Sequence, residues 1–271
     1  MTGLMQATAR NGSQVQLDPG WDIWGPAGGY IAAIALRAAG EHAPAGHRPL
    51  TLTGQFVRIA KPGALDVEVS AIKSGASSLF AVTLSQAGRP VFLAQVWTSE
   101  RNMASHRVQP VMPAVLPPDG LRDQEALAAE RGFTLIPFWA NIEGRPLNFR
   151  QQGDPLPDDT HQLRWMRLRD WPATADPFLD AMRSTLLIDI GVWPAHWHRL
   201  TQPADYGAPS LDIAVHFHDG AGASDWLLSD ADTDVSGNGS ISGRVRIWSA
   251  DGRCMATGSG HCLVVPAPAP G

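Results

Sequence analysis

The chain has 271 residues, 44% of them hydrophobic, which is enough material for one large domain or two of ordinary size. Its 21 basic and 26 acidic residues give a net charge of -5 and are scattered without long runs, so we expect no nucleic-acid partner. No stretch approaches the roughly 18 apolar residues of a membrane span, and the N-terminus has no apolar signal region. We therefore expect a cytoplasmic protein with no membrane partner.

The cysteines are candidates for a disulfide, and the histidines are candidates for a metal site. Cys254 and Cys262 fall in one predicted strand, too far apart along it to bond without distortion, which agrees with a reducing compartment. His216 and His218 share one face of a strand, a spacing that can bind a metal, but nothing nearby completes a ligand set. No flavin or nicotinamide fingerprint occurs, so we expect neither metal nor cofactor.

The first half of the chain is predicted to contain one apolar helix followed by four strands. A short strand is expected at Gln14–Leu17, and then a helix at Pro26–Ala39, closed by Gly40. This helix has almost no polar face, so other elements must wrap around it. Apolar runs separated by turn signals predict four antiparallel strands, at Leu50–Arg58, Leu65–Lys73, Ser77–Gln86 and Pro90–Ser99.

After a Pro-rich stretch with a short surface helix at Asp123–Arg131, the same order returns. Strands are predicted at Phe133–Asn141 and His161–Arg169, and a second apolar helix lies between Asp176 and Pro194. Four more predicted strands follow, at Ser210–His218, Trp226–Ala231, Gly239–Trp248 and Arg253–Val265.

The second helix has clear start and stop signals. Asp176 is a good N-cap and Pro177 suits the first helical position, while Gly191 and Pro194 predict its end. These bounds place Asp189 in the last turn, where the helix dipole and lost solvation both raise its pKa. A buried carboxylate is costly unless it has partners or a function.

The two halves are related by an internal repeat. Pro49–Arg58 lies over Pro209–His218 at a lag of 209 minus 49, or 160 residues, and Gly88 lies over Gly252 at a lag of 252 minus 88, or 164. An antiparallel sheet curled about one long apolar helix, present twice, is a tandem hot-dog fold of the α+β class. We expect hot-dog domains at residues 1–105 and 132–271, with a Pro-rich linker at 106–131.

Five motifs together resemble the acyl-CoA thioesterase II family and its thioesterase-like relatives, which are double hot-dog proteins. They are GPAGGYIAAIALRAA, FVRIAKPG, IDIGVWP, PSLDIAVHFH and DGRCMA. The resemblance covers about residues 15–265, apart from the linker. It implies a protein that hydrolyses acyl-CoA thioesters without a cofactor, and we expect a homodimer or higher oligomer.

The resemblance also implies a set of catalytic residues. In the family, an Asp on the second helix, a Thr or Ser at the start of the next strand and a Gln in the last strand hold and activate a water. The matching positions are Asp189, Ser210 and Gly260. The third position departs from the pattern, because glycine has no side chain to orient a water. Ser259 and His261 should point to the other face of the strand.

Gly28 and Gly29, at the start of the first helix, have two interpretations. Backbone N–H groups at a helix N-terminus can stabilise the oxyanion that develops on a thioester carbonyl. In hot-dog thioesterases this amide comes from one hot dog and the carboxylate from the other, which fits Gly29 and Asp189. Alternatively, the glycines only let the helix pack closely on a strand.

Two other functions remain open for this fold. A non-catalytic acyl-CoA-binding protein fits the missing Gln at position 260. A hot-dog hydratase usually needs a His and an acid at the start of a helix, and neither repeat offers that pair. No G-x-S-x-G motif indicates a serine hydrolase. A further group of residues is expected to form core or to line an acyl pocket: Trp21, Trp24, Trp139, Trp193 and Trp197.

Overall fold

The structure, a computed structural model, describes residues 2–101, 108–150, 154–156, 161–201, 204–220, 222 and 224–266. The helices within this part are α1 (Leu4–Ala7), α2 (Gly28–His42), α3 (Gln124–Glu130) and α4 (Pro177–His198). The strands are β1 (Arg10–Asn11), β2 (Gln14–Leu17), β3 (Arg48–Phe56), β4 (Gly63–Lys73), β5 (Ser77–Gln86), β6 (Arg89–Ser99), β7 (Ile142–Pro146), β8 (Gln162–Leu168), β9 (Tyr206–Gly207), β10 (Ser210–Phe217), β11 (Leu227–Gly237), β12 (Ser240–Ser249), β13 (Cys254–Leu263) and β14 (Val265–Pro266).

One antiparallel sheet runs through both halves of the chain. In the described residues it has 12 strands, in the order β1-β2-β4-β5-β6-β3-β10-β13-β12-β11-β8-β7. The halves join where β3 pairs with β10, with Gly54 opposite Ile213. Helices α2 and α4 pack together against one face of this sheet, and the main hydrophobic core includes residues of both halves. The sheet and few helices give the α+β class that the sequence predicted.

Helix α2 is longer at its C-terminal end than predicted. It continues through Gly40 to His42. A Cβ atom at Gly40 would lie 2.5 Å from Cγ of Phe178, so this glycine allows α2 and α4 to approach each other. The prediction that Gly40 ends the helix is therefore wrong.

Helix α4 begins as predicted but does not end where predicted. The Asp176 carboxylate accepts the N–H groups of Phe178 and Leu179, which caps the helix. The helix then continues to His198.

Neither predicted stop signal closes α4. A Cβ atom at Gly191 would lie 2.9 Å from Cγ2 of Val245, so this glycine allows the helix to approach the sheet. Pro194 lies within the helix, at the cost of one backbone hydrogen bond. Burial of the surrounding apolar residues outweighs that local preference. Asp189 therefore lies in the interior of α4, and the prediction that it occupies the last turn is wrong.

Most predicted strands occur within one or two residues of their expected bounds. The clear error is Phe133–Asn141, where the chain forms a 3-10 helix at Pro137–Asn141 before β7. Strand β11 is also longer than predicted, because it extends to Gly237. Residues 106–107 of the predicted linker lie outside the described part, and the domain boundaries stay a prediction.

Cys254 and Cys262 do not form a disulfide, in agreement with their predicted separation along one strand. No helix in the described part of the chain is long and apolar enough to cross a membrane.

Candidate active site

The Asp189 carboxylate is held by groups from both halves of the chain. Its Oδ2 accepts the backbone N–H of Gly29 at 2.6 Å, and its Oδ1 accepts the Ser210 hydroxyl at 2.9 Å. Gly29 lies in the first turn of α2, and Ser210 is the first residue of β10. Three residues singled out in the sequence thus meet at one point, where α2, α4 and β10 come together.

Close packing explains both glycines of α2. A Cβ atom at Gly28 would lie 2.8 Å from Oδ1 of Asp189, and one at Gly29 would lie 2.8 Å from Cα of Leu186. Contacts this short leave no room for a side chain. The glycines therefore permit close packing, on helix α4 and, at Gly28, also on Phe56 of strand β3, where the added Cβ would lie 2.9 Å from Cζ.

Burial raises the pKa of Asp189 above its ordinary value near 3.8, although the hydrogen bonds from Ser210 and Gly29 oppose this shift. The carboxylate faces the N-terminal, electropositive end of α2. Of the two predicted causes, the loss of solvation is present, whereas the negative end of its own helix is not, because α4 continues for two more turns. The residue as a whole is half-buried.

The Gly29 N–H is already bound to the carboxylate, which bears on the predicted oxyanion site. The N–H of Gly28, at the first helical position, has no acceptor within its own helix. The two amides therefore differ: the Gly29 N–H is bound to the Asp189 carboxylate, and the Gly28 N–H is not used by the helix.

Gly260 lies on β13 between Ile213 of β10 and Gly243 of β12. A Cβ atom there would lie 3.3 Å from Cγ2 of Val192, which follows Asp189 by three residues on α4. Val192 thus occupies part of the space beside this position. The structure offers no side chain from position 260 to hold a water.

Two models of known families match the chain. One describes the acyl-CoA thioesterase N-terminal domain and matches residues 17–99, and the other describes the acyl-CoA thioesterase C-terminal domain and matches residues 117–264, more than half of the chain. The chain belongs to the acyl-CoA thioesterase family. Membership supports thioester hydrolysis in general.

Acyl-coenzyme A thioesterase 8 of Homo sapiens is 26% identical to this family member over 263 residues, which cover 88% of this chain and 81% of that protein. Two solved structures show that the fold is the predicted hot dog. A hot-dog protein of unknown function from Alicyclobacillus acidocaldarius has a TM-score of 0.81 at 24% identity, covering 98% of both chains. An acyl-CoA thioesterase II from Mycobacterium marinum has a TM-score of 0.70 at 24% identity, covering 89% of this chain and 90% of that one.

An aromatic cluster borders the carboxylate of this thioesterase-family chain. Trp193, one helical turn after Asp189, packs edge-on against Trp24 with ring centroids 5.5 Å apart and against Tyr206 at 5.7 Å. The Tyr206 hydroxyl hydrogen-bonds Nε2 of His196 at 2.8 Å. Because these residues come from the segments that carry the site, they form a wall beside it.

A cavity of about 210 Å³ lies on the far side of Trp193. Its lining is mainly aromatic and includes Trp139, Trp193 and Trp197, as the sequence allowed. Trp21 is instead a core residue, buried against Tyr30. No group of three or more His, Cys, Asp and Glu side chains able to hold a metal occurs in the part of this family member that the structure describes.

The sequence marks Cys262 only as a disulfide candidate. Cys262 pairs with Ser210 across β13 and β10, and burial, reinforced by the charge of Asp189, raises the pKa of its thiol to about 12. It is therefore a neutral group beside the acid. Its position two residues after Gly260, on the same face of a strand, was the available signal.

Proposed function

We propose that this protein hydrolyses acyl-CoA thioesters to a free acid and CoA, with Asp189 as the general base that activates a water. The observation that carries the proposal is the Asp189 carboxylate, held by Gly29 from one half and Ser210 from the other. Each carboxylate oxygen keeps a lone pair after accepting one hydrogen bond, so it can also accept a proton from water. Cytoplasmic location and a homodimeric or larger assembly remain predictions.

In the proposed reaction, the water oxygen attacks the thioester carbonyl carbon while its proton passes to Asp189. The carbonyl oxygen becomes an oxyanion, which the N–H of Gly28 and the electropositive end of α2 stabilise. When the intermediate collapses, the C–S bond breaks and the proton returns from Asp189 to the CoA sulfur. The Asp189 carboxylate is ionised again at the end of the cycle, and no acyl-enzyme forms.

The environment of Asp189 suits this role. A raised pKa makes the carboxylate a stronger base, and the hydrogen bonds from Gly29 and Ser210 keep it ionised and fixed in direction. The glycine at position 260 predicts a slow enzyme, because it has no side chain that could orient the water. By analogy with loss of an oxyanion donor, this absence costs on the order of 10²-fold in rate.

Release of free thiol from a panel of acyl-CoAs, from acetyl to palmitoyl and including aromatic ones, tests the proposal with wild type and Asp189→Asn. We expect saturable hydrolysis by wild type and a loss of roughly 10²- to 10⁴-fold in kcat for the variant. Asp234→Asn, on the exposed end of β11, is the control and should retain full activity.

Unchanged turnover in Asp189→Asn would refute the role of this residue. If wild type hydrolyses no thioester but binds a non-hydrolysable acyl-CoA analogue, the protein is an acyl-CoA-binding protein instead.

A further inference from the structure

Arg164 places a cationic side chain on the inner face of β8. Along this strand Met166 and Leu168 belong to the main core, whereas Trp165 belongs to a separate cluster on the other side of the sheet. Since alternate residues share a face, Arg164 points to the same side as Met166 and Leu168. It lines the aromatic cavity beyond Trp193.

This guanidinium has no carboxylate partner among the residues that the structure describes. Its Nη1 donates to Oε1 of Gln124 at 3.2 Å, and its central carbon lies 5.3 Å from the ring centroid of Trp139. Its Nε is buried without an acceptor. In contrast, Arg167 on the outer face of the same strand forms an ion pair with Glu143.

The Arg164 side chain still carries its charge at neutral pH. Burial lowers its pKa to about 10, well above 7. A largely buried charge without a counterion is expensive unless a ligand or a function compensates for it. The other cation lining the cavity, Arg150, donates to the backbone oxygens of Asp154, Pro155, His198 and Leu200. Arg164 is therefore the cation with donors left for a ligand.

The cavity lies at a suitable distance from Asp189. Trp193 and Trp197 follow Asp189 by four and eight residues on α4, which is about 6 and 12 Å along the helix axis. Trp193 lies one helical turn after Asp189, on the same side of α4, and also lines the cavity. A chain attached to a thioester near Asp189 can thus run past Trp193 and end beside Arg164.

We propose that the cavity binds the far end of the acyl group and that Arg164 pairs there with a carboxylate, so that the preferred substrates are acyl-CoAs with a terminal carboxylate. This inference rests on the proposed function, since it names the substrate class of the same site. The aromatic walls cover the methylene groups, and the guanidinium binds the carboxylate through two N–H groups.

A carboxylate fits the cavity better than a phosphate of CoA. One available cation matches a single negative charge, and the planar fork of arginine matches a planar carboxylate. The remaining polar side chains of the lining are the amides of Gln124, Asn148 and Gln162 and the imidazole of His198, and the other lining residues apart from the two arginines are apolar. A phosphate with two charges would need further cations.

The test compares adipoyl-CoA and suberoyl-CoA with hexanoyl-CoA and octanoyl-CoA, which have the same chain lengths but no second carboxylate. Wild type should show the higher kcat/KM for the carboxylated substrates. Arg164→Gln should lower the ratio of kcat/KM for the carboxylated substrate to kcat/KM for the plain substrate of equal chain length, by roughly 10- to 100-fold. Arg167→Gln, on the outer face of β8, is the matched control and should preserve the preference.

Arg164→Lys is the conservative variant, because it keeps the positive charge and loses the two parallel N–H donors of the guanidinium. It should lose part of the preference for carboxylated substrates. Thermal melting shows whether each variant is folded. Equal use of both substrate types by wild type, with no change in either Arg164 variant, would overturn the inference and leave the proposed function intact.

Two binding measurements separate the remaining outcomes. Free CoA should bind wild type and Arg164→Gln equally, and weaker binding to the variant would assign Arg164 to a phosphate of CoA and overturn the inference. If wild type hydrolyses no thioester, the proposed function fails by itself. In that case Arg164-dependent binding of suberate, measured by calorimetry, still tests the carboxylate site, and its absence refutes it.

Discussion

The two halves of this protein use one shared position in different ways. Gly29 and Asp189 lie 160 residues apart, the same lag that relates Pro49 to Pro209 in the internal repeat. One half therefore has a glycine where the other has a carboxylate, and the two residues are joined by a hydrogen bond. Equivalent positions meet because α2 and α4 pack together, just as β3 and β10 do.

The helices that carry these residues also begin at different places. Helix α2 begins one residue before Gly29, after a loop, whereas α4 begins at Pro177, twelve residues before Asp189. Because α2 starts late, the N–H groups of its first turn, which have no acceptor within the helix, lie at the centre of the molecule. The early start of α4 makes Asp189 an interior residue. A repeated scaffold has thus supplied a helix N-terminus from one copy and an acid from the other.

The largest effect is expected from placing a glutamine side chain at position 260, where the family pattern has one. Gly260→Gln combined with Val192→Ala, which removes the side chain nearest to position 260, should raise kcat by up to about 10²-fold. Thiol release by the two single variants and the double variant measures this gain. A double variant no faster than wild type, with an unchanged melting temperature, would show that position 260 does not face the reacting water.

Filling the contact between the halves should destabilise the protein. A Cβ atom at Gly29 would lie 2.8 Å from Cα of Leu186 and 3.0 Å from Cβ of Asp189. We expect Gly29→Ala to lower the free energy of unfolding by about 1–3 kcal/mol, through overpacking. Chemical denaturation measures this, with Gly237→Ala as the control because nothing lies within 4 Å of its added methyl. Equal stabilities of the two variants would contradict the close approach of α2 and α4.

The smallest effect is a pH dependence of stability that comes from Asp189. Its pKa is raised in the folded protein, so its contribution to stability is fully present below the ordinary value near 3.8 and is lost as the pH rises through the folded-state value. Asp189→Asn should therefore gain melting temperature relative to wild type as the pH rises from 4 to 7. In a protein of this size, each kcal/mol in the free energy of unfolding corresponds to about 2–4 °C in melting temperature.

Paired thermal scans across this pH range provide the measurement. Asp234→Asn, at an exposed position on β11, makes the same chemical change away from the site and serves as the comparison. A constant difference between Asp189→Asn and wild type would mean that burial does not perturb this carboxylate.

The amino-acid sequence by itself determined the order of elements and the repeat. Apolar periodicity and turn residues located most strands, and Asp176 located the start of α4. Asp189, Ser210 and Gly29 were also found from the sequence, because they lie in motifs shared with a family. These features depend on neighbours in the chain, so they can be read locally.

Only the tertiary structure decided where the helices end and what surrounds Asp189. Gly40, Gly191 and Pro194 are local stop signals, but packing against another element outweighs them. The hydrogen-bond partners of Asp189, and the lack of a carboxylate beside Arg164 among the described residues, depend on which groups lie nearby in space. Such long-range contacts have no signature in sequence spacing, since they form only when the two halves pack against each other.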